Sequence, residues 1–188
     1  MNQFDFLSVL VSIIIALGLT HLISSAAQLI RRRGRVQMHY PTLVWMAVLF
    51  LLQIQIWWAE FYRREFTHWN FFGFLLYLLI PILISTLGYL LVSGIELELE
   101  PEFDLEREYY HNRRWFFGIL GSVVVISLVE DAVRTGTLRF ELNAAVRLVL
   151  LLGAIAGFGI QAKRAQLGIA VAFLALLLAY IGLFFARL

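Results

Sequence analysis

Cysteine is absent from all 188 residues, which excludes disulfides, thiolate catalysis and Cys-ligated zinc, haem or iron–sulfur centres. Lysine occurs once, at Lys163, and charged residues of both signs make up only 15% of the chain. A soluble globular domain carries about a quarter. Enzyme signatures are lacking as well: there is no Gly-x-Ser-x-Gly, no His-Glu-x-x-His, no glycine-rich phosphate loop and no multi-histidine cluster. No enzyme, metal or cofactor is therefore assigned. The opening "MNQFDF" lacks the basic stretch and small-residue cleavage site of a signal peptide, so the first apolar segment is expected to stay as an anchor.

What the chain has instead is apolar surface. Hydrophobic residues make up 61% of it and the mean hydropathy is +0.83. With so few polar residues to cover such a core, lipid must be the solvent. A helix needs about 20 apolar residues, at about 1.5 Å each, to cross a hydrocarbon layer of about 30 Å. Six segments meet or approach that length: 6–30, 40–61, 69–95, 115–134, 144–161 and 167–186. The fourth is the weakest, because charge returns at Glu130 and Asp131, and a displaced or re-entrant helix is an alternative there. No alternating segments suggest a barrel. The expected fold is an all-α integral membrane protein: a single domain forming a compact bundle of about six transmembrane helices. The first five are expected to pack together. The sixth, apolar all round, is expected at the periphery facing lipid.

Orientation follows from basic residues in short loops. Arg31, Arg32, Arg33, Arg35, Arg107, Arg113, Arg114, Lys163 and Arg164 fall on one side, nine in all; Arg63, Arg64, Arg134, Arg139, Arg147 and Arg187 fall on the other. The side holding "RRRGR" is expected to be cytoplasmic, with both termini outside. The longest polar stretch, the acidic loop 96–114, lies on that cytoplasmic side and leads to Trp115. Glu96, Glu98 and Glu100 alternate with leucines until Pro101, and helix is expected from Glu102 onward. Its acidic-to-basic character suits docking of a cytoplasmic protein partner. The basic residues are scattered, forming no stripe for nucleic acid.

Polar residues inside the spans carry the remaining information. In "LLQIQIWWAEF", Trp57 and Trp58 read with Trp69 and Trp115 as interface anchors, whereas Gln53 falls well inside hydrocarbon. A buried amide there is either interhelical glue or a solute contact. The first helix repeats Ser8, Ser12, Ala16, Thr20, Ser24 and Gln28 at every fourth residue, beside a second stripe through Gly18, His21, Ser25 and Gln28. Such stripes mean close packing or a hydrated path. His21 is the one histidine within a strongly apolar span, and is either hydrogen-bonded in place or functional. Tyr77, Pro81, Ser85 and Gly88 share a face of the third helix, and Pro81 leaves an i−4 carbonyl without its donor. Glu130 and Asp131 form either a local ion pair with Arg134 or an acidic vestibule. In "GAIAG", Gly153 and Gly157 are spaced for a close helix contact. Ser12, Ala16, Gly18, Gly153 and Gly157 are thus packing candidates, and His21, Gln53, Tyr77, Glu130 and Asp131 candidates for a polar path between helices 1–4. The leading functional expectation is passage of an ion, proton or small solute through a homo-oligomeric channel or transporter. The alternative is a non-catalytic membrane subunit or scaffold that docks a partner through 96–115.

Overall fold

The computed structural model describes residues 3–60, 71–92, 103–135 and 142–184. They form six helices: α1 (Gln3–Arg31), α2 (Tyr40–Glu60), α3 (Phe71–Val92), α4 (Leu105–Thr135), α5 (Leu142–Gly159) and α6 (Lys163–Phe184). Two short strands, β1 (Val36–Gln37) and β2 (Phe103–Asp104), pair in parallel, Val36 opposite Phe103 and Gln37 opposite Asp104. Five helices are long and apolar enough to cross a membrane, and α5 is a shorter apolar helix. The chain is a multi-pass all-α membrane bundle.

Each helix runs opposite to the one before it, as cross-links at the two ends show. The β pair ties the end of the α1–α2 connection to the start of α4. Asn112 of α4 donates to the Leu90 carbonyl near the end of α3. Arg113 of α4 donates to the carbonyls of Gly157 and Ile160 at the end of α5. Lys163, opening α6, pairs with Glu106, opening α4. At the opposite end Arg147 of α5 reaches Asp131 of α4. The bundle thus has an arginine end, holding Arg31 to Arg35, and an acidic end, holding Glu130 and Asp131.

The weakest span by sequence proves to be the most continuous. α4 is a single 31-residue helix that begins ten residues before Trp115, so half of the segment assigned to the acidic loop is helical. Asp104 starts it, its Oδ1 accepting from the backbone N–H of Glu106 (2.9 Å) and Arg107 (3.2 Å). Glu106 and Glu108 in the first turn suit the positive helix end. The shortfall lies in α5, whose 18 residues reach about 27 Å. Residues 93–102, with the Glu96–Leu99 alternation, and residues 61–70, with Trp69, lie outside the described residues.

The core sits between α2, α3, α4 and α6. Trp45, fully buried, meets the rings of Phe116 and Phe173 at 5.0 Å and Phe117 at 5.6 Å. α6 is therefore less peripheral than its composition suggests: Gln166, Ala170 and Phe173, at spacings of four and three, are buried against the bundle. Uniform apolarity hides such a face, because a lipid-facing and a core-facing leucine read alike. α1 packs on α2 and α3 through Val11, Ile15, Gly18, His21, Leu22 and Ser25.

Candidate functional site

A partly open cavity of about 260 Å³ lies between α2, α3, α4, α5 and α6, in the half of the bundle toward the acidic end. Its walls are apolar, built from residues such as Leu52, Ile56, Ile80, Val123, Leu150 and Leu177. Ile84, Leu120 and Phe173 close it toward the arginine end, and Phe173 in turn rests on Trp45. Polar groups gather at the acidic end: Ser127 and Glu130 near the end of α4, Asn143 and Arg147 near the start of α5, and Tyr180 near the end of α6. Gln55 and Tyr77 also line the cavity, from α2 and α3. Pro81 lies one turn along α3 from Tyr77 on the same wall, and has no N–H to offer the Tyr77 carbonyl.

Arg147 organises the charged rim. Its Nη1 donates to the Ser127 carbonyl at 3.1 Å and to Asp131 Oδ2 at 3.2 Å. The side chain of Arg134, expected to neutralise this acidic pair from within α4, lies outside the described residues; Asp131 is bridged to the neighbouring helix by Arg147. The Oδ1 atom of Asn143 is buried without a hydrogen-bond partner. A polar atom withdrawn from water without a partner costs about 1–3 kcal/mol, so a donor entering the cavity would find an acceptor waiting.

The five path candidates do not converge. Tyr77 and Glu130 line the cavity, and Asp131 stands behind its rim, bonded to Arg147. His21 lies outside, on α1, stacked against Tyr89 of α3 with ring centroids 3.8 Å apart. Gln53 also lies outside the cavity. The residue is 1% exposed, and its carboxamide has no hydrogen-bond partner on either atom and rests on Gly18 of α1. A Cβ at Gly18 would stand 2.5 Å from both Gln53 Oε1 and Ser85 Oγ, so the glycine is what lets three helices meet there. Neither His21 nor Gln53 lines the cavity: α1 contributes nothing to its lining, and Gln53, on α2, lies against Gly18 of α1.

The packing candidates separate likewise. A Cβ at Gly153 would stand 2.5 Å from the Phe173 ring, and one at Gly157 would collide with the Phe117 ring. Ser12 is half-buried, but Ala16 is exposed, as are Thr20 and Ser24. From Ala16 to Ser24 the fourfold stripe therefore points away from the bundle, and Ala16 makes no close helix contact among the described residues. Of the aromatic anchors, Trp57 (52%) and Trp115 (71%) are strongly exposed, while Trp58 is half-buried.

A second polar cluster, at the arginine end, is one that sequence reasoning missed. Gln166, fully buried, accepts from the Tyr109 hydroxyl at 2.7 Å and donates to the carbonyls of Gly157 and Ile160, which also receive Arg113. An arginine and an amide thus satisfy the last carbonyls of α5, where the negative end of the helix favours a cation. His39 lies beside Tyr109 and Tyr110, with its Nδ1 2.9 Å from the Thr42 hydroxyl. Burial holds its pKa below the ordinary 6.5, against the opposing pull of Glu106. Arg113 had a signal: it falls on the buried α4 series Leu105, Tyr109, Arg113, Phe116, Leu120, visible once the helix starts at Leu105. Arg147 had one too, as an arginine inside an apolar segment.

Compared with known proteins, the chain matches no family model, no curated protein and no solved structure. Among the described residues no group of three or more His, Asp or Glu side chains is arranged to hold a metal ion. What the geometry offers chemically is binding: an apolar recess with a charged, hydrogen-bonding mouth.

Proposed function

We propose that the chain is a non-enzymatic membrane protein that admits a small solute to the acidic-end cavity and passes it across the bilayer. The observation that carries this reading is the cavity itself, charged at its mouth and closed at its floor by Ile84, Leu120 and Phe173, with Trp45 behind Phe173. An open ion or proton path draws less support, because His21 and Gln53 stand apart from the recess. Solute passage on this reading requires Trp45, Phe117 and Phe173 to move aside, giving alternating access instead of a standing pore. With "RRRGR" in the cytoplasm, the cavity faces outward.

The second reading, a scaffold, rests on the start of α4. There Arg107, His111 and Arg114 are exposed at spacings of four and three, a basic face suited to an acidic partner. Reconstituted liposomes separate the two. Wild-type protein should move short single-chain amphiphiles across the bilayer, and Leu150→Trp, which fills the cavity, should stop that movement. Movement of ions or protons that Leu150→Trp leaves intact would return the polar path of α1. No movement of any of these species by folded protein would favour the scaffold. The orientation is tested with Gln37→Cys: modification by an impermeant thiol reagent from outside intact cells would reverse it.

A further inference from the structure

We propose that the arginine end is a docking surface for the headgroups of anionic phospholipids. This stands apart from the solute reading, and it gives lipid the face on which the scaffold reading rests. Two stretches far apart in sequence supply the charge. Arg31, Arg33 and Arg35 come from the end of α1 and the connection after it, and Arg107 and Arg114 from the start of α4; all five are exposed. The β pair joins the two stretches, since Val36 follows Arg35 and Asp104 stands three residues before Arg107. Arg164, also exposed, is brought to the same end by the bridge from Lys163 to Glu106.

The protein does not neutralise these arginines itself. Among the described residues, none of the six takes part in a salt bridge. The described carboxylates beside them have other partners: Asp104 caps α4, Glu106 pairs with Lys163, and Glu108 accepts from Asn112. Arg147 at the opposite end differs, being tied to Asp131.

Depth favours lipid over a soluble acidic protein. Trp115 and Tyr40, both strongly exposed, mark the membrane boundary at this end. Along α4, at about 1.5 Å per residue, His111 lies about 6 Å outside Trp115 and Arg107 about 12 Å, with Arg114 beside it. A headgroup layer is about 5–8 Å deep. Arg114 and His111 therefore sit within it, and the long side chain of Arg107 can reach back to it. An acidic protein would have to displace lipid to meet them. The chemistry agrees, because a guanidinium forks two N–H donors onto phosphate oxygens, and lysine occurs only once in the chain. Clusters of arginine beside a spanning helix are the pattern that attracts anionic headgroups.

The test places a bimane fluorophore at Gly118→Cys, an exposed position on α4 just inside Trp115, where an added Cβ meets nothing within 4 Å. A second label, at Val129→Cys, reports from the exposed face of the same helix toward the acidic end. Each labelled chain is reconstituted in vesicles of phosphatidylcholine and phosphatidylglycerol in equal parts, with a nitroxide quencher on one lipid or the other. At Gly118→Cys, phosphatidylglycerol should quench as though enriched about fivefold, the scale of one arginine near a charged surface. At Val129→Cys the two lipids should quench alike. Arg107→Gln with Arg114→Gln should bring the Gly118→Cys label to parity without lowering the melting temperature, since both side chains are exposed. Salt at about 1 M, which shortens the screening length to about 3 Å, should do the same with every arginine in place. Equal quenching at Gly118→Cys in low salt would overturn the proposal, leaving the arginines to Glu96, Glu98, Glu100 and Glu102 or to an acidic protein. An equal preference at Val129→Cys, or one that survives both the arginine substitutions and salt, would overturn it too.

Discussion

The two halves of the bundle use the same kinds of residue to opposite ends. At the arginine end, Arg113 is 3% exposed and spends its donors on backbone carbonyls, Gln166 is fully buried and bonded, and three phenylalanine rings close around Trp45. At the acidic end, Arg147 keeps part of its guanidinium open to a cavity, Asn143 keeps an acceptor without a partner, and the walls leave room for a ligand. In lipid there is no water to repair an unmade hydrogen bond, so unpartnered polar atoms are costly wherever they occur, and Trp45 Nε1 and His39 Nε2 are such atoms within the closed half. One half is a seal and the other a receptacle.

Substitutions that open the seal should do the most damage. Trp45→Ala removes the ring on which Phe116, Phe117 and Phe173 converge, and should cost about 3–5 kcal/mol, the range for losing a buried large aromatic. Thermal unfolding in detergent reads this directly. Leu150→Ala, on the cavity wall and half-buried, should cost much less. Equal losses would mean that the two halves are packed alike.

Gly157→Leu comes next. The added side chain must displace Phe117 or part α5 from α4, at a cost of about 1–3 kcal/mol as for other overpacked cores. Ala172→Leu, on the exposed face of α6, should be nearly silent in the same melting measurement. An unchanged Gly157→Leu protein would show that Phe117 has free space beside it, and the seal would be looser than described.

The smallest effect is a pH dependence confined to the arginine end. Burial lowers the pKa of His39 in the folded protein, so the unfolded chain takes up its proton first as pH falls. The stability linked to neutral His39 is complete above about 6.5 and declines as pH drops from there through the lower folded pKa. Melting temperatures of wild type and His39→Asn, compared from neutral pH to pH 5, should draw together on acidification. Parallel curves would mean that His39 does not titrate differently on folding.

Much of this architecture is legible in the residues, and the gaps have physical causes. Hydropathy alone separates six apolar segments, and Tyr40-Pro41 marks the start of α2 because proline suits a first helical turn. The start of α4 is also written in the chain: Asp104 followed by Glu106 and Glu108 is a capping pattern, hidden when the span is drawn from where charge ends at Trp115. The pairings that define each half are not legible. Arg113 with Gly157, Tyr109 with Gln166 and Arg147 with Asp131 join different helices, and helical periodicity reports only which face a residue is on. Tyr77 and Glu130 stand out as polar residues in apolar surroundings, but a cavity is a mismatch between five helices and leaves no mark on any one of them.

The contrast between seal and receptacle can be measured directly because the chain has no cysteine of its own. Single substitutions Val146→Cys and Leu150→Cys place a thiol on the cavity wall, while Leu49→Cys and Phe116→Cys place one in the closed core toward the arginine end. Each variant, folded in nanodiscs, is exposed to a small membrane-permeant thiol reagent, with and without a saturating short single-chain amphiphile. The account predicts rapid modification of the two wall positions, slowed by the amphiphile, and little modification of the two core positions under either condition. Modification of all four at similar rates, with no protection by the amphiphile, would contradict it.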